Sequence, residues 1–255
     1  MWTQLLLASF ACALALAVPT QTELGGRIVG GADAAATQFP HQISLRQMGS
    51  HICGGSIIDR NKILTAAHCV TSDGPNGTLL VTPADLLTIR AGSLNRFNGG
   101  EVRQVVEVKV HEGYGNLYND VAVLVLDRPL IYSENIRAIP LASADTPVDS
   151  PVIVSGWGRL ATEGDVPRWL QWNTLSSLST RKCTTSTLMN GASLICLAHD
   201  AGQGVCFGDS GGPAIYNGEI VGIAGFVIGG CGSKNPDGYA KVFYHRDWII
   251  KHANL

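Results

Sequence analysis

Charge is scarce in this sequence, and neither sign prevails. Only 15% of the 255 residues are Asp, Glu, Lys or Arg, below the usual share, and 18 basic against 20 acidic side chains leave a formal net charge of −2. Without a basic excess there is no electrostatic footprint for nucleic acid, which is excluded as a partner. The apolar run at residues 5–18 is too short to span a bilayer, so no membrane span is expected. There is no low-complexity segment and no short repeat. No helical pattern of any length precedes Arg246.

What is abundant points the other way. Thirty glycines and a 45% hydrophobic content suit a turn-rich β protein with one large or two small cores. Short apolar runs separated by turn clusters fill the first half: Gln42–Arg46, Ser56–Ile58, Lys62–Ala67, Leu86–Ala91, Val102–Val110 and Val121–Leu126. The second half repeats the style at Val152–Ser155, Leu170–Ser176, Ser193–Leu197, Pro213–Tyr216, Ile220–Val227 and Gly238–Phe243, with a linker at Ser133–Asp149. Such spacing predicts antiparallel sheet or barrel. In Val102–Val110, Val102, Val106, Val108 and Val110 mark one face, and Arg103, Glu107 and Lys109 make the other wet. Trp248, Ile249 and Ile250 allow a terminal helix from about 246 to dock on the core.

The N-terminus reads as a secretory signal, with Ala15-Leu16-Ala17 as a small-x-small cleavage site, although no Lys or Arg precedes the apolar run. Removing residues 1–17 takes Cys12 with it and leaves six cysteines, an even number for an oxidising, extracellular compartment. Spacing alone allows fifteen pairings of six cysteines. Residues 18–27 are short and polar, and end in Arg27 before Ile28-Val29-Gly30-Gly31, as a processing site would.

The chemistry centres on Cys206-Phe207-Gly208-Asp209-Ser210-Gly211-Gly212-Pro213. Glycines bring backbone N–H groups close to a reacting atom and leave Ser210 unobstructed. A serine is inert at neutral pH unless a base takes its proton. Thr65-Ala66-Ala67-His68-Cys69 offers that base, and Asn119-Asp120-Val121 offers an acid opening a very apolar run.

With these motifs in the order His, Asp, Ser, the chain resembles the trypsin/chymotrypsin family of secreted serine proteases, from Ile28 through Ser155-Gly156-Trp157-Gly158 to Trp248. The resemblance implies an all-β fold of two antiparallel six-stranded barrels, about 28–137 and 138–245, with the active site between them and a C-terminal helix at about 246–255. It implies Ser210 as nucleophile, His68 as base, Asp120 as its orienting acid, and an oxyanion hole of the Gly208 and Ser210 N–H groups. It also implies disulfides Cys53–Cys69, Cys183–Cys196 and Cys206–Cys231. A trypsin-like activator would cut after Arg27, and the freed amine of Ile28 would pair with Asp209, so the full chain is expected to be a zymogen.

Specificity is read from the pocket for the side chain before the scissile bond, here Gly204, Val205, Phe207, Gly225, Val227, Gly230 and Asp237. Trypsin-like members carry an acid where this chain has Gly204. Val205 and Val227 make the pocket similar to that of neutrophil elastase, which prefers small aliphatic residues. Asp237 is expected to be screened by the two valines; left open, it would give basic or broad, collagenolytic-type specificity. Gly225 stands where the family usually has a serine bonded to the acid of the triad. With only Glu101 acidic in 92–101, no calcium or other metal is expected, and no cofactor. Asn76-Gly77-Thr78 is a possible glycosylation sequon. The expected partners are protein or peptide substrates, the activator and protein protease inhibitors, with the chain a monomer. A non-catalytic binding protein on the same scaffold is the remote alternative; a lipase is opposed by the strand-rich pattern and the motif order.

Overall fold

The computed structural model describes residues 28–255. The expected signal and activation segments, with Cys12 and Arg27, lie outside them. In chain order the elements are β1 (Ala32–Asp33), β2 (Gln42–Gln47), β3 (Ser50–Asp59), β4 (Lys62–Thr65), β5 (Thr71–Asp73), β6 (Leu79–Val81), β7 (Leu87–Ala91), β8 (Glu101–Val110), β9 (Ala122–Leu126), β10 (Pro151–Gly156), β11 (Gln171–Ser177), α1 (Thr180–Thr187), β12 (Leu194–Ala198), β13 (Pro213–Tyr216), β14 (Glu219–Phe226), β15 (Asp237–Lys241) and α2 (Val242–Ala253).

Strands β2, β3, β4, β9, β8 and β7 close into the first antiparallel barrel. Alternation sets its interior: Leu87, Ile89 and Ala91 of β7 are buried, while Thr88 and Arg90 between them are half-buried. They meet Ile43, Leu45, Ile57, Leu64 and Leu124, all fully buried. The β2–β3 connection is a two-residue turn, Met48 and Gly49, both at positive φ (49° and 84°), whose twist matches the flanking strands.

The second sheet runs β1-β11-β10-β13-β14-β15-β12. Pairing of β12 with β11 closes six of these strands into the second barrel, and β1 is added on the outer edge of β11. The β13–β14 turn is Asn217-Gly218, again at positive φ. Helix α2 packs across β9 and β14, and so ties the barrels together. The all-β, two-barrel class with a C-terminal helix is thus as expected.

Two local expectations fail, and one short element was not foreseen. In β8 the buried residue is Val105 at 1% exposure, whereas Val102 and Val106 are 41% and 55% exposed. The pairing with β9 shifts between Val105 and Glu107, and one extra residue in a strand exchanges the faces. Helix α2 begins at Val242, four residues before the expected 246, because strand pairing ends at Lys241 opposite Gly222 and the Lys241 carbonyl then accepts from His245 Nδ1 (2.8 Å). Helix α1 was unforeseen: it has no apolar stripe and buries only Cys183, but Ser179 caps it by accepting from the Lys182 N–H (3.3 Å).

Candidate active site

Among the described residues the disulfides are Cys53–Cys69, Cys183–Cys196 and Cys206–Cys231, the set that the resemblance implied. Two of them border the site. The first joins β3 to the turn Ala67–Cys69 that carries His68, and the third ties the Ser210 turn to the segment after β14.

Asp120 lies just before β9, 3% exposed, and both of its oxygens face His68. Oδ2 accepts from His68 Nδ1 at 2.7 Å and Oδ1 from the His68 backbone N–H at 2.9 Å. This fixes the ring with Nδ1 protonated and leaves Nε2 free to take a proton. His68 and Ser210 line one cavity of about 420 Å³.

The Ser210 turn is clamped from both barrels. The Gly54 N–H of β3 donates to the Ser210 carbonyl (2.8 Å), and the Gly211 N–H donates to Ala224 of β14 (2.7 Å). Contact is so close that a Cβ on Gly54 would lie 2.9 Å from the Gly212 Cα. Gly208 needs glycine for its φ of 102°. Its carbonyl accepts from His51 Nε2 (3.1 Å), while His51 Nδ1 accepts from the Ser44 hydroxyl (2.8 Å). Burial drives the His51 pKa down to about 4, with Arg96 and Arg46 adding to this, so the ring is neutral and can play both parts.

Asp209 is 1% exposed and accepts from the Gly158 N–H (2.7 Å) and the Cys206 N–H (3.0 Å). Burial raises its pKa to about 7 despite both bonds, and the Asp237 carboxylate pushes the same way. A Cβ on Gly156 or Gly158 would fall within 2.3 Å of its oxygens, so these glycines make room for the acid. Ile28, the residue that would carry the new amine, is fully buried.

Of the residues expected to bind substrate, Val205, Phe207, Gly225, Val227 and Gly230 line the cavity, joined by Ala224 and Phe226. Gly204 and Asp237 do not; they lie behind this wall. Asp237, 2% exposed, accepts from the Val205 N–H (2.8 Å), and a Cβ on Gly204 would sit 2.5 Å from its Oδ2. A Cβ on Gly225 would be 3.7 Å from Asp120 Oδ2, leaving the acid without a side-chain donor on that flank. Asn76 sits in an exposed turn, Pro75–Gly77. The sequence reading missed His51, Ser44 and His199, which bear on the site only through contacts distant in sequence.

The trypsin family model matches residues 28–249. Over 225 residues, 88% of this chain and 80% of the relative, it is 44% identical to serine protease SP24D of Anopheles gambiae. It is 39% identical to trypsin delta of Drosophila melanogaster over 258 residues, 98% of both chains. Among solved structures, neuropsin, a serine protease expressed in the limbic system of mouse brain, aligns with a TM-score of 0.78 at 24% identity, over 88% of this chain and 98% of that one, a likeness of fold.

Proposed function

This chain belongs to the trypsin family and is a serine endopeptidase, and from that premise we propose that it is secreted as a zymogen and cuts after small aliphatic residues. The observation that carries the specificity is the cavity wall: Val205 and Val227 line it while Asp237 lies behind them.

Ser210 attacks the peptide carbonyl as His68 Nε2 takes its proton, and Asp120 stabilises the resulting imidazolium through the 2.7 Å contact. The N–H groups of Gly208 and Ser210 hold the oxyanion, in a loop braced by His51. The imidazolium returns its proton to the leaving amine, and water then repeats the sequence on the acyl-enzyme. Cleavage at Arg27 by a trypsin-like protease would give Ile28 an ammonium group, which compensates the buried Asp209. The apolar run at 5–18 and the three disulfides support secretion.

Peptide-library cleavage by the chain cut at Arg27–Ile28 tests this, with Ser210→Ala as control. Cuts after Val, Ala or Ile, lost on the order of 10⁶-fold in Ser210→Ala, are expected. Cuts after Lys or Arg would overturn the specificity, and no Ser210-dependent cutting would overturn the assigned active site.

A further inference from the structure

A buried carboxylate behind the substrate cavity needs a counter-charge, and the structure supplies one from outside the pocket. His199 follows β12 by one residue, and Leu197 of that strand pairs with Asp237 at the start of β15. The register brings the ring against the carboxylate: His199 Nε2 lies 3.3 Å from Asp237 Oδ2, where the carboxylate is buried and the half-buried His199 keeps this nitrogen out of solvent. Gly204 makes the approach possible, since a Cβ there would lie 2.5 Å from Asp237 Oδ2 and 2.7 Å from His199 Nε2.

Both ring nitrogens face acceptors. Nδ1 is 3.0 Å from the Asp200 carbonyl, which can only accept. Nε2 faces the carboxylate at 3.3 Å but makes no well-aligned hydrogen bond among the described residues, so the contact is one of charge. A neutral imidazole has one N–H and would set a lone pair against one of these oxygens; an imidazolium turns an N–H towards each. Burial acts to lower the ring's pKa, but the Asp237 and Asp200 bonds and charges outweigh it and hold it above the usual histidine value. The Val205 N–H is the remaining donor to Oδ2, and the Tyr239 hydroxyl, fully buried on the same strand face, is kept protonated by burial and by Asp237 and Asp209. Asp149, across the shallow surface cavity that His199 and Asp200 line, is the other acid on that side.

We propose that His199 is a specificity-determining residue: as an imidazolium behind the pocket wall it neutralises Asp237, so that the pocket presents no net negative charge and does not select Lys or Arg. The inference deepens the small-aliphatic reading and rests on it. With the cation removed, Asp237 holds an uncompensated charge in a low-dielectric site, where a substrate cation becomes its best available partner.

The test compares kcat/KM for two peptides differing only in Arg or Val before the scissile bond, in the activated chain and its variants. His199→Gln keeps a buried donor and removes the charge; it should raise the Arg-to-Val ratio at least about tenfold, chiefly through KM for the Arg peptide. Asp237→Asn and the double variant should not raise it. In the unmutated enzyme the ratio should climb with pH as His199 loses its proton, because His68 acts equally on both peptides and cancels. Ring nitrogen NMR of the Ser210→Ala chain should show an imidazolium at neutral pH that becomes neutral in Asp237→Asn. An unchanged ratio in a His199→Gln enzyme that still cuts the Val peptide, an equal rise in the double variant, or a neutral His199 ring overturns the proposal. Absence of any peptide cleavage overturns the endopeptidase reading instead, and the NMR result then decides the His199 assignment.

Discussion

Asp209 makes the uncut chain sensitive to rising pH. Its carboxyl has an ordinary value of 3.8 and is raised to about 7 by burial, against two backbone donors among the described residues. A rise from 3.8 to about 7 corresponds to about 4 kcal/mol of differential interaction. Because the folded value lies above the unfolded one, the native state holds the proton longer. Stability is therefore full below about pH 4, falls by about 1.4 kcal/mol per unit as pH rises, and levels off above about pH 7. The perturbation is Asp209→Asn in a chain made uncuttable and inert by Arg27→Gln and Ser210→Ala. Urea unfolding of both chains across this range isolates the effect, since every other titrating group cancels in the difference. The Asn chain should gain about 4 kcal/mol relative to the Asp chain from the acid to the neutral end. In the chain cut at Arg27, the Ile28 ammonium should remove most of that gain. A difference flat to within about 0.5 kcal/mol would refute the reasoning, because it would mean that Asp209 finds a cation or solvent before cleavage.

Gly225→Ser places a hydroxyl within reach of Asp120 Oδ2, with the Gly238 carbonyl 3.2 Å from the new Cβ. One net hydrogen bond of about 1 kcal/mol, if expressed in the transition state, is roughly a fivefold rise in kcat; a fall would show that the tight fit prevails. Gly54→Ala should cost about 1–3 kcal/mol in thermal unfolding and lower kcat/KM, because its Cβ meets Gly212 backbone at 2.9 Å; unchanged kinetics would show that the nucleophile turn can yield. His41 and His51 are both held to about 4 by burial. For a base with a depressed value, stability is present above pH 6.5 and is lost as pH falls towards 4, so replacing His41 with Phe should flatten part of the acid limb of a melting-temperature profile.

Local chemistry made much of the candidate active site legible. The glycine-flanked Ser210, the His68 and Asp120 motifs and the short apolar runs each encode their geometry within a few residues, so pattern and resemblance sufficed for the two barrels and the cavity. The face of β8 was not legible, because a bulge defined by pairing with β9 exchanges inside and outside. Nor was the start of α2, because Val242–His245 is as apolar as a strand and becomes helix only where the sheet stops offering partners.

The sequence by itself set Asp209 beside Ser210, and the family resemblance that it carries put Asp237 close to a pocket with two valines. The tertiary structure decided what those charges mean. It set His199 against Asp237 through the β12–β15 register and left Asp209 buried on two N–H groups. Charge in a low-dielectric interior depends on partners within a few ångströms, and which residues are that near is a property of strand pairing across the barrel rather than of neighbourhood along the chain.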